Sequence, residues 1–285
     1  MVELVVLGGG RDPRGCPAGS AYVLSAGNHS YLLDCGETCA GRLAQNGIEL
    51  LSIRTVFLTH MHYDHMAGLF GLLFGIWAYC RREEDVPAAI RDWSVWGNLP
   101  DSALPDQFTV AAPEEAVAAL QAFLPATYVS PEVWRFPLHF HPIHAGPFYA
   151  DDVLRVTAYP NSHLSSQPTN HVLVAQHPSA RMESFSFLFE LDGLRLAYSG
   201  DLGLCGQAGI EEFRPLAEVA DVVISEVAHV PLESHLDMLA SSTRTKWIVL
   251  VHVHRNLEKA LTTALAARGD RRFVWAENGQ RIRLG

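Results

Sequence analysis

Lysine is almost missing from this 285-residue chain, which has only Lys246 and Lys259. Asp and Glu outnumber Lys and Arg by 31 to 21, giving a formal net charge of −10. No window supplies the basic footprint on which duplex or tRNA binding draws. The densest pair, Arg81-Arg82, runs straight into Glu83-Glu84-Asp85, so a basic patch could form only from arginines brought together by folding. Long apolar runs are also absent. The longest, Ala67 to Tyr79, is interrupted by glycine and too short to span a bilayer. The opening MVELVVLGGG has no basic n-region and no small-residue cleavage site, so no secretory signal and no membrane association is expected, and the cytoplasm is the expected location. The five cysteines (Cys16, Cys35, Cys39, Cys80, Cys205) are odd in number and lack the paired C-x-x-C spacing of a structural zinc site. Free thiols in a reducing compartment are the expectation.

What the chain does contain is a globular composition, 48% apolar and 18% charged, without fixed-period repeats or low-complexity stretches. It reads as one domain over 1–285, with a candidate lid insert at 81–107. Short apolar runs at Glu3–Leu7, Ala21–Ser25, Tyr31–Asp34 and Thr55–Leu58 predict strands, the second and third joined by a Gly27-Asn28 hairpin. Helices are expected at Thr38–Asn46 and Met66–Tyr79. The Pro-, Asp- and Ala-rich middle predicts a strand at Ser94–Trp96 and a helix at Glu114–Phe123. Beyond it, strands are expected at Val133–His141, Leu154–Tyr159, Ser184–Leu191, Leu194–Ser199, Val222–Glu226, Trp247–His252, Phe273–Ala276 and Arg281–Leu284. Helices should fall near Leu232–Ala240 and Leu257–Ala267. Strands then helices, in both halves, point to an α/β sandwich with two facing sheets.

Fourteen histidines are the unusual feature. The segment TVFLTHMHYDHMAGL places His60, His62, Asp64 and His65 between an apolar strand and a helix. Alternate residues of an extended segment share a side, so His60 and His62 can chelate one ion together. Asp64 and His65 follow where the chain turns and can reach a second. Three imidazoles and a carboxylate within six residues are costly to bury without a metal.

This H-x-H-x-D-H pattern after a strand resembles the signature of the metallo-β-lactamase superfamily. The resemblance implies an αβ/βα four-layer sandwich, two mixed sheets flanked by helices, with a metal site at one edge. It also carries three further positions: His163 closing LRVTAYPNSH, Asp201 in AYSGD, and His252 in WIVLVH. His60, His62 and His163 would hold one divalent ion, and Asp64, His65 and His252 the other, with Asp201 bridging. Imidazole and carboxylate suit Zn2+, although Mn2+ or Fe accept the same set. A water shared by two such ions loses its proton near neutral pH, and ions about 3.5–4 Å apart also stabilise a phosphoryl oxygen. His254 could compete with His252, and His171 with His163. His139, His141 and His144 alternate like a second site but read equally as strand and loop residues. His29 falls in the hairpin turn and His177 in a Pro-flanked loop.

LVVLGGG followed by YLLDCGE, and SEVAHVPLESHLDMLA later, are similar to the ribonuclease Z branch, which includes small phosphodiesterases and arylsulfatases. That likeness implies that His235 protonates the leaving oxygen and that Glu226 orients it, with His229 as the alternative to His235. With Asp64 they form the expected catalytic set. Asp34 would orient a ligand histidine. The branch also implies a homodimer. Its tRNA-processing members carry a long, often basic arm, whereas only 37 residues separate His163 from Asp201, room for one loop and two strands. The 81–107 stretch is acidic and Trp-rich; Trp77, Trp93, Trp96 and Phe108 could line an apolar pocket mouth or simply pack the insert. The expectation is a dinuclear hydrolase attacking a phosphodiester of small-molecule or short-nucleotide size with a metal-bridging hydroxide, and not tRNA. A lactone, thioester or sulfate ester hydrolase, or a non-catalytic metal-binding regulator, is the alternative.

Overall fold

A computed structural model describes residues 1–11, 19–82, 99–129, 131–204 and 206–284. In chain order its strands are Val2–Gly8 (β1), Ala21–Ala26 (β2), His29–Leu33 (β3), Ile53–Phe57 (β4), Phe108–Pro113 (β5), Leu138–Ile143 (β6) and Gly146–Ala150 (β7). Leu154–Pro160 (β8), Phe185–Leu191 (β9), Leu194–Tyr198 (β10), Val222–Glu226 (β11), Trp247–Val251 (β12), Phe273–Trp275 (β13) and Arg281–Arg283 (β14) complete the set. The helices are Cys39–Gln45 (α1), Tyr63–Met66 (α2), Leu69–Tyr79 (α3), Glu114–Phe123 (α4), Pro168–Gln176 (α5), Gln207–Val219 (α6), Leu232–Ser241 (α7) and Glu258–Arg268 (α8).

The strands form two seven-stranded sheets, in the orders β14-β1-β2-β3-β4-β5-β6 and β13-β12-β11-β10-β9-β8-β7. Their central strands are buried on both faces, so they read as continuous apolar runs instead of alternations. The sheets face each other across a core that includes Tyr22, Tyr31, Phe57, Phe187, Phe189 and Tyr198. A second core packs α1, α3 and α4 on the outside of the first sheet, and a third packs α6, α7 and α8 on the outside of the second. The result is the expected four-layer αβ/βα sandwich. Each sheet pairs antiparallel from one edge to β3 or β10 and parallel beyond it. The candidate ligands His60, His163, Asp201 and His252 follow the carboxyl ends of β4, β8, β10 and β12.

Several elements differ from the sequence expectations. The strand expected from Val133 begins at Leu138, after Pro137, which has no N–H to give a ladder. Pro142 lies within β6, and β6 is an edge strand of its sheet, where proline is tolerated. The 37 residues between His163 and Asp201 hold α5 as well as two strands. The expected Ser94–Trp96 strand, Trp93, and most of the candidate 81–107 lid lie outside the described residues. Cys35, Cys39 and Cys80 are free and buried, whereas Cys16 and Cys205 fall outside the described residues. Among the described residues, no helix is long and apolar enough to cross a membrane.

Candidate metal centre

The chain leaves β4 at Phe57 and stays non-helical to His62, whose backbone is extended (φ −64°, ψ 149°), before α2 begins at Tyr63. His60 and His62 therefore sit on the extended segment and Asp64 and His65 on the first turn of the helix. His163 follows β8, Asp201 follows β10, and His252 comes directly after β12. The fold brings all seven together. The rings of His60, His62 and His163 lie 4.6–5.0 Å apart, centroid to centroid. Asp201 reaches both sides: one carboxylate oxygen is 3.7 Å from His163 Nε2, the other 3.3 Å from His65 Nε2 and 3.3 Å from His252 Nδ1. Asp64 Oδ2 lies 3.7 Å from His65 Nε2 and 3.8 Å from His252 Nε2. Two sets, His60/His62/His163/Asp201 and Asp64/His65/His252, each bring potential ligand atoms within 4.8 Å of one another.

Hydrogen bonds on the outer side of the cluster select the tautomers. Asp34 Oδ2 lies 2.7 Å from His65 Nδ1, and His163 Nδ1 is 3.0 Å from the Leu202 carbonyl oxygen. Thr59 Oγ1 donates to Asp34 and lies 3.0 Å from His60 Nδ1, so it accepts from that nitrogen. With their Nδ1 protons committed, all three rings are left with Nε2 as the lone-pair atom. The Nε2 atoms of His60 and His65 and Oδ1 of Asp201 are buried with no hydrogen-bond partner. A buried polar atom without a partner costs about 1–3 kcal/mol, and three such atoms converging here fit bound cations. Burial pushes His60 well below the usual imidazole range and His163 down to about 4, keeping both neutral. For Asp201 burial works towards protonation, but the His252 and His65 rings outweigh it and hold the carboxyl well below its usual range.

His235 lies elsewhere. On α7 it is completely buried, its Nε2 is 2.8 Å from Ser225 Oγ, and burial pushes it down to about 4. A sealed, neutral imidazole cannot meet a substrate. His229 takes the place beside the cluster, with Nδ1 3.7 Å from Asp201 Oδ2 and 3.4 Å from Glu226 Oε2. Glu226 is itself fixed by the backbone N–H groups of Leu202, Ala228 and His229. Burial alone would lower the His229 pKa, yet the Glu226 and Asp201 carboxylates raise it above its ordinary value.

Other histidines do not join. His171 bonds the Ser165 carbonyl, His141 the Phe148 carbonyl, and His144 faces Glu114 at 3.8 Å, while His139 is exposed. His29 is buried at the start of β3 and His177 follows α5. Phe108 is core, packed near Trp134, and the Arg81 guanidinium covers Trp77. Sequence reading missed Thr59, Tyr198 and Ser20. Tyr198 donates to Asp34 at 2.5 Å, and Ser20 Oγ is 3.3 Å from His252 Nδ1. No spacing signal marks them, since they reach the cluster from separate strands and loops. Beside Asp64 and His252 opens a cleft of about 250 Å³, lined among others by Gly10, Arg11, Ser20, Arg255 and Trp275, with the Arg11 guanidinium 5.2 Å from the Trp275 ring centroid.

Known proteins share this chain's sequence pattern and fold. The sequence model of the metallo-beta-lactamase superfamily matches residues 14–247. Ribonuclease Z of Pseudomonas putida strain KT2440 is 34% identical over 114 residues, 39% of this chain and 36% of that enzyme. The match thus spans little more than a third of that relative's length. Among solved structures, the short form of human tRNase Z superposes with a TM-score of 0.64 at 19% identity, covering 99% of each chain. A diphosphatase of the PhnP family superposes at 0.62 with 14% identity, covering 100% of this chain and 98% of that one.

Proposed function

The chain belongs to the metallo-beta-lactamase superfamily, and from that premise we propose that it is a dinuclear metal-dependent hydrolase acting on a phosphodiester of small-molecule or short-nucleotide size. One observation carries this reading: partnerless, buried lone-pair atoms of His60, His65 and Asp201 converge, and Asp201, grouped with His60, His62 and His163, also lies 3.3 Å from His65 and His252 of the other set. His60, His62 and His163 would hold one ion, Asp64, His65 and His252 the other, and Asp201 would contact both. Zn2+ suits this nitrogen and carboxylate set. Ions bound there supply Lewis acidity for a phosphoryl oxygen and lower the pKa of water.

The chain's own residues do the rest. Asp34 and Thr59 fix the rings of His65 and His60, and Leu202 fixes that of His163. His229, oriented by Glu226 and held above its ordinary pKa, hands a proton to the leaving oxygen in the role expected of His235. The adjacent cleft has a mixed lining, Arg11 (3.8 Å from Glu277) and Arg255 with Glu37, Asp64 and Glu258, and its two guanidinium groups are the candidates for contact with an anionic substrate. The bond class is supported by the curated relatives, which are named as ribonucleases. The size class is supported by the 250 Å³ cleft and by a net charge of −10 with two lysines, which repels a long polyanion.

Elemental analysis paired with turnover of bis(p-nitrophenyl) phosphate tests the proposal. Two metal ions per chain with turnover is the expected result. Two ions without phosphodiester turnover would move the substrate to a lactone, thioester or sulfate ester. Failure to bind metal under any reconstitution would overturn the reading.

A further inference from the structure

A third histidine group overlaps one of the two sets described above at His252. His229, His252 and His254 bring one ligand nitrogen each within 4.8 Å of one another. Their ring centroids are 5.4 Å apart for His229 and His252, 5.9 Å for His229 and His254, and 5.9 Å for His252 and His254. Three imidazole nitrogens are the protein share of a zinc site with an open position. His229 Nδ1 is buried and makes no hydrogen bond, with Glu226 Oε2 3.4 Å away. From the surface inwards the exposure falls: His254 is exposed, the side chains of His229 and His252 are 17% and 15% exposed, and that of His65 is 1%.

His252 belongs to both this outer group and the inner set with Asp64 and His65. A neutral imidazole has one lone-pair nitrogen, because the other carries the proton. His252 can therefore serve one ion at a time, which makes the outer group an alternative seat and not a third permanent one. The inner set contains the Asp64 carboxylate and has Asp201 Oδ1 3.3 Å from His65 and His252, whereas the outer group offers imidazoles alone, so the inner set attracts a dication more strongly.

We propose that His229, His252 and His254 form an entry seat for the second metal ion, from which the ion moves inwards while remaining on His252. The exchange balances: bonds to His229 and His254 break, bonds to Asp64 and His65 form, and no electron changes hands. This inference rests on the dinuclear reading above. It gives the site the access path that a buried metal centre needs, and it gives His254 a role without placing it at the reacting bond.

Exchange of bound zinc for zinc-67 in the zinc-loaded protein, followed by mass spectrometry, tests it. Entry and exit use the same path, so losing the seat slows both. His254→Ala should slow exchange of one of the two ions by roughly tenfold or more, the scale on which groups supporting a metal change its affinity. It should keep two zinc ions per chain and unchanged turnover of bis(p-nitrophenyl) phosphate. His171→Ala, which removes an exposed imidazole bonded to Ser165, should exchange like the unmodified chain. Exchange in His254→Ala at the unmodified rate, with two zinc ions retained, overturns the entry seat alone. Lost turnover with unaltered exchange also overturns it and assigns His254 to substrate. An unmodified chain that holds no zinc instead overturns the dinuclear reading beneath it.

Discussion

Asp34 shows how much of the site depends on single side chains that never face the substrate. It is fully buried, at a left-handed backbone position (φ 55°), and accepts from the Thr59 N–H and hydroxyl, the Tyr198 hydroxyl and His65 Nδ1. Asp34→Ala should cut metal affinity by about 10–100-fold, measured by competition with a chromophoric chelator; unchanged affinity would show that it does not hold His65. Asp201→Ala should lose turnover and bound metal together, and activity persisting with two ions bound would refute its place between them. His235 makes a different prediction. Its pKa of about 4 lies below the ordinary 6.5, so on acidification the unfolded chain takes up a proton that the folded chain refuses. Its contribution to stability is intact above pH 6.5 and is lost as pH falls from there towards 4. From pH 7.5 to 5 this costs about 2 kcal/mol. His235→Gln should be less stable at pH 7.5, where the Ser225 bond is lost, and the gap in denaturation free energy should narrow by that amount at pH 5. A gap constant with pH would show that His235 titrates normally. His235 also marks a limit of sequence reading: likeness to the ribonuclease Z branch implied a catalytic partner of Glu226, but whether its ring meets the cluster or Ser225 depends on how α7 packs.

At the scale of elements, the H-x-H-x-D-H loop is held by backbone packed closely on three sides. The Asp64 carbonyl accepts from the Ser20 N–H, the His65 carbonyl from the Cys35 N–H, and the Cys35 carbonyl from the Gly68 N–H. Gly36 allows this contact, since a Cβ there would lie 2.2 Å from the Asp64 oxygen, well inside van der Waals distance. Gly36→Ala should destabilise the chain by about 1–3 kcal/mol and release metal, because the loop must shift. Gly41→Ala, inside α1 with nothing within 4 Å, should stabilise it by about 0.5–1 kcal/mol. Thermal denaturation with metal analysis reads both; equal effects would refute the close-packing account. Elements built on apolar periodicity were legible in the sequence: α4 matches its expected span, and β8, β9, β11 and β12 match theirs within a residue. Those carrying little such signal were not. Helix α5 buries no residue, α6 contains Pro215, which reads as a breaker, and the half-buried β7 is an edge strand.

For the whole molecule, charge and shape set what can approach the centre. A chain at −10 with a cleft of about 250 Å³ should hydrolyse a small phosphodiester without competition from a large one. Titrating precursor tRNA into the bis(p-nitrophenyl) phosphate assay at about 0.15 M salt, where screening lengths are about 8 Å, should leave the rate unchanged. Inhibition or tRNA cleavage at micromolar concentration would show that arginines assemble the patch no linear window supplies. The two-sheet sandwich and the gathering of His60, His62, Asp64 and His65 could be read without coordinates. Both are local: burial of a strand or helix is written in its own periodicity, and these four candidate ligands share one strand-to-helix turn. Composition and spacing alone did not join His163, Asp201 and His252 to them; likeness to a known family pointed there. Packing of the folded chain sets His229 beside the cluster, seals His235 against Ser225, and brings Thr59 and Tyr198 onto Asp34. Those outcomes depend on which strand ends meet across two sheets, a property of packing that no single stretch of chain encodes.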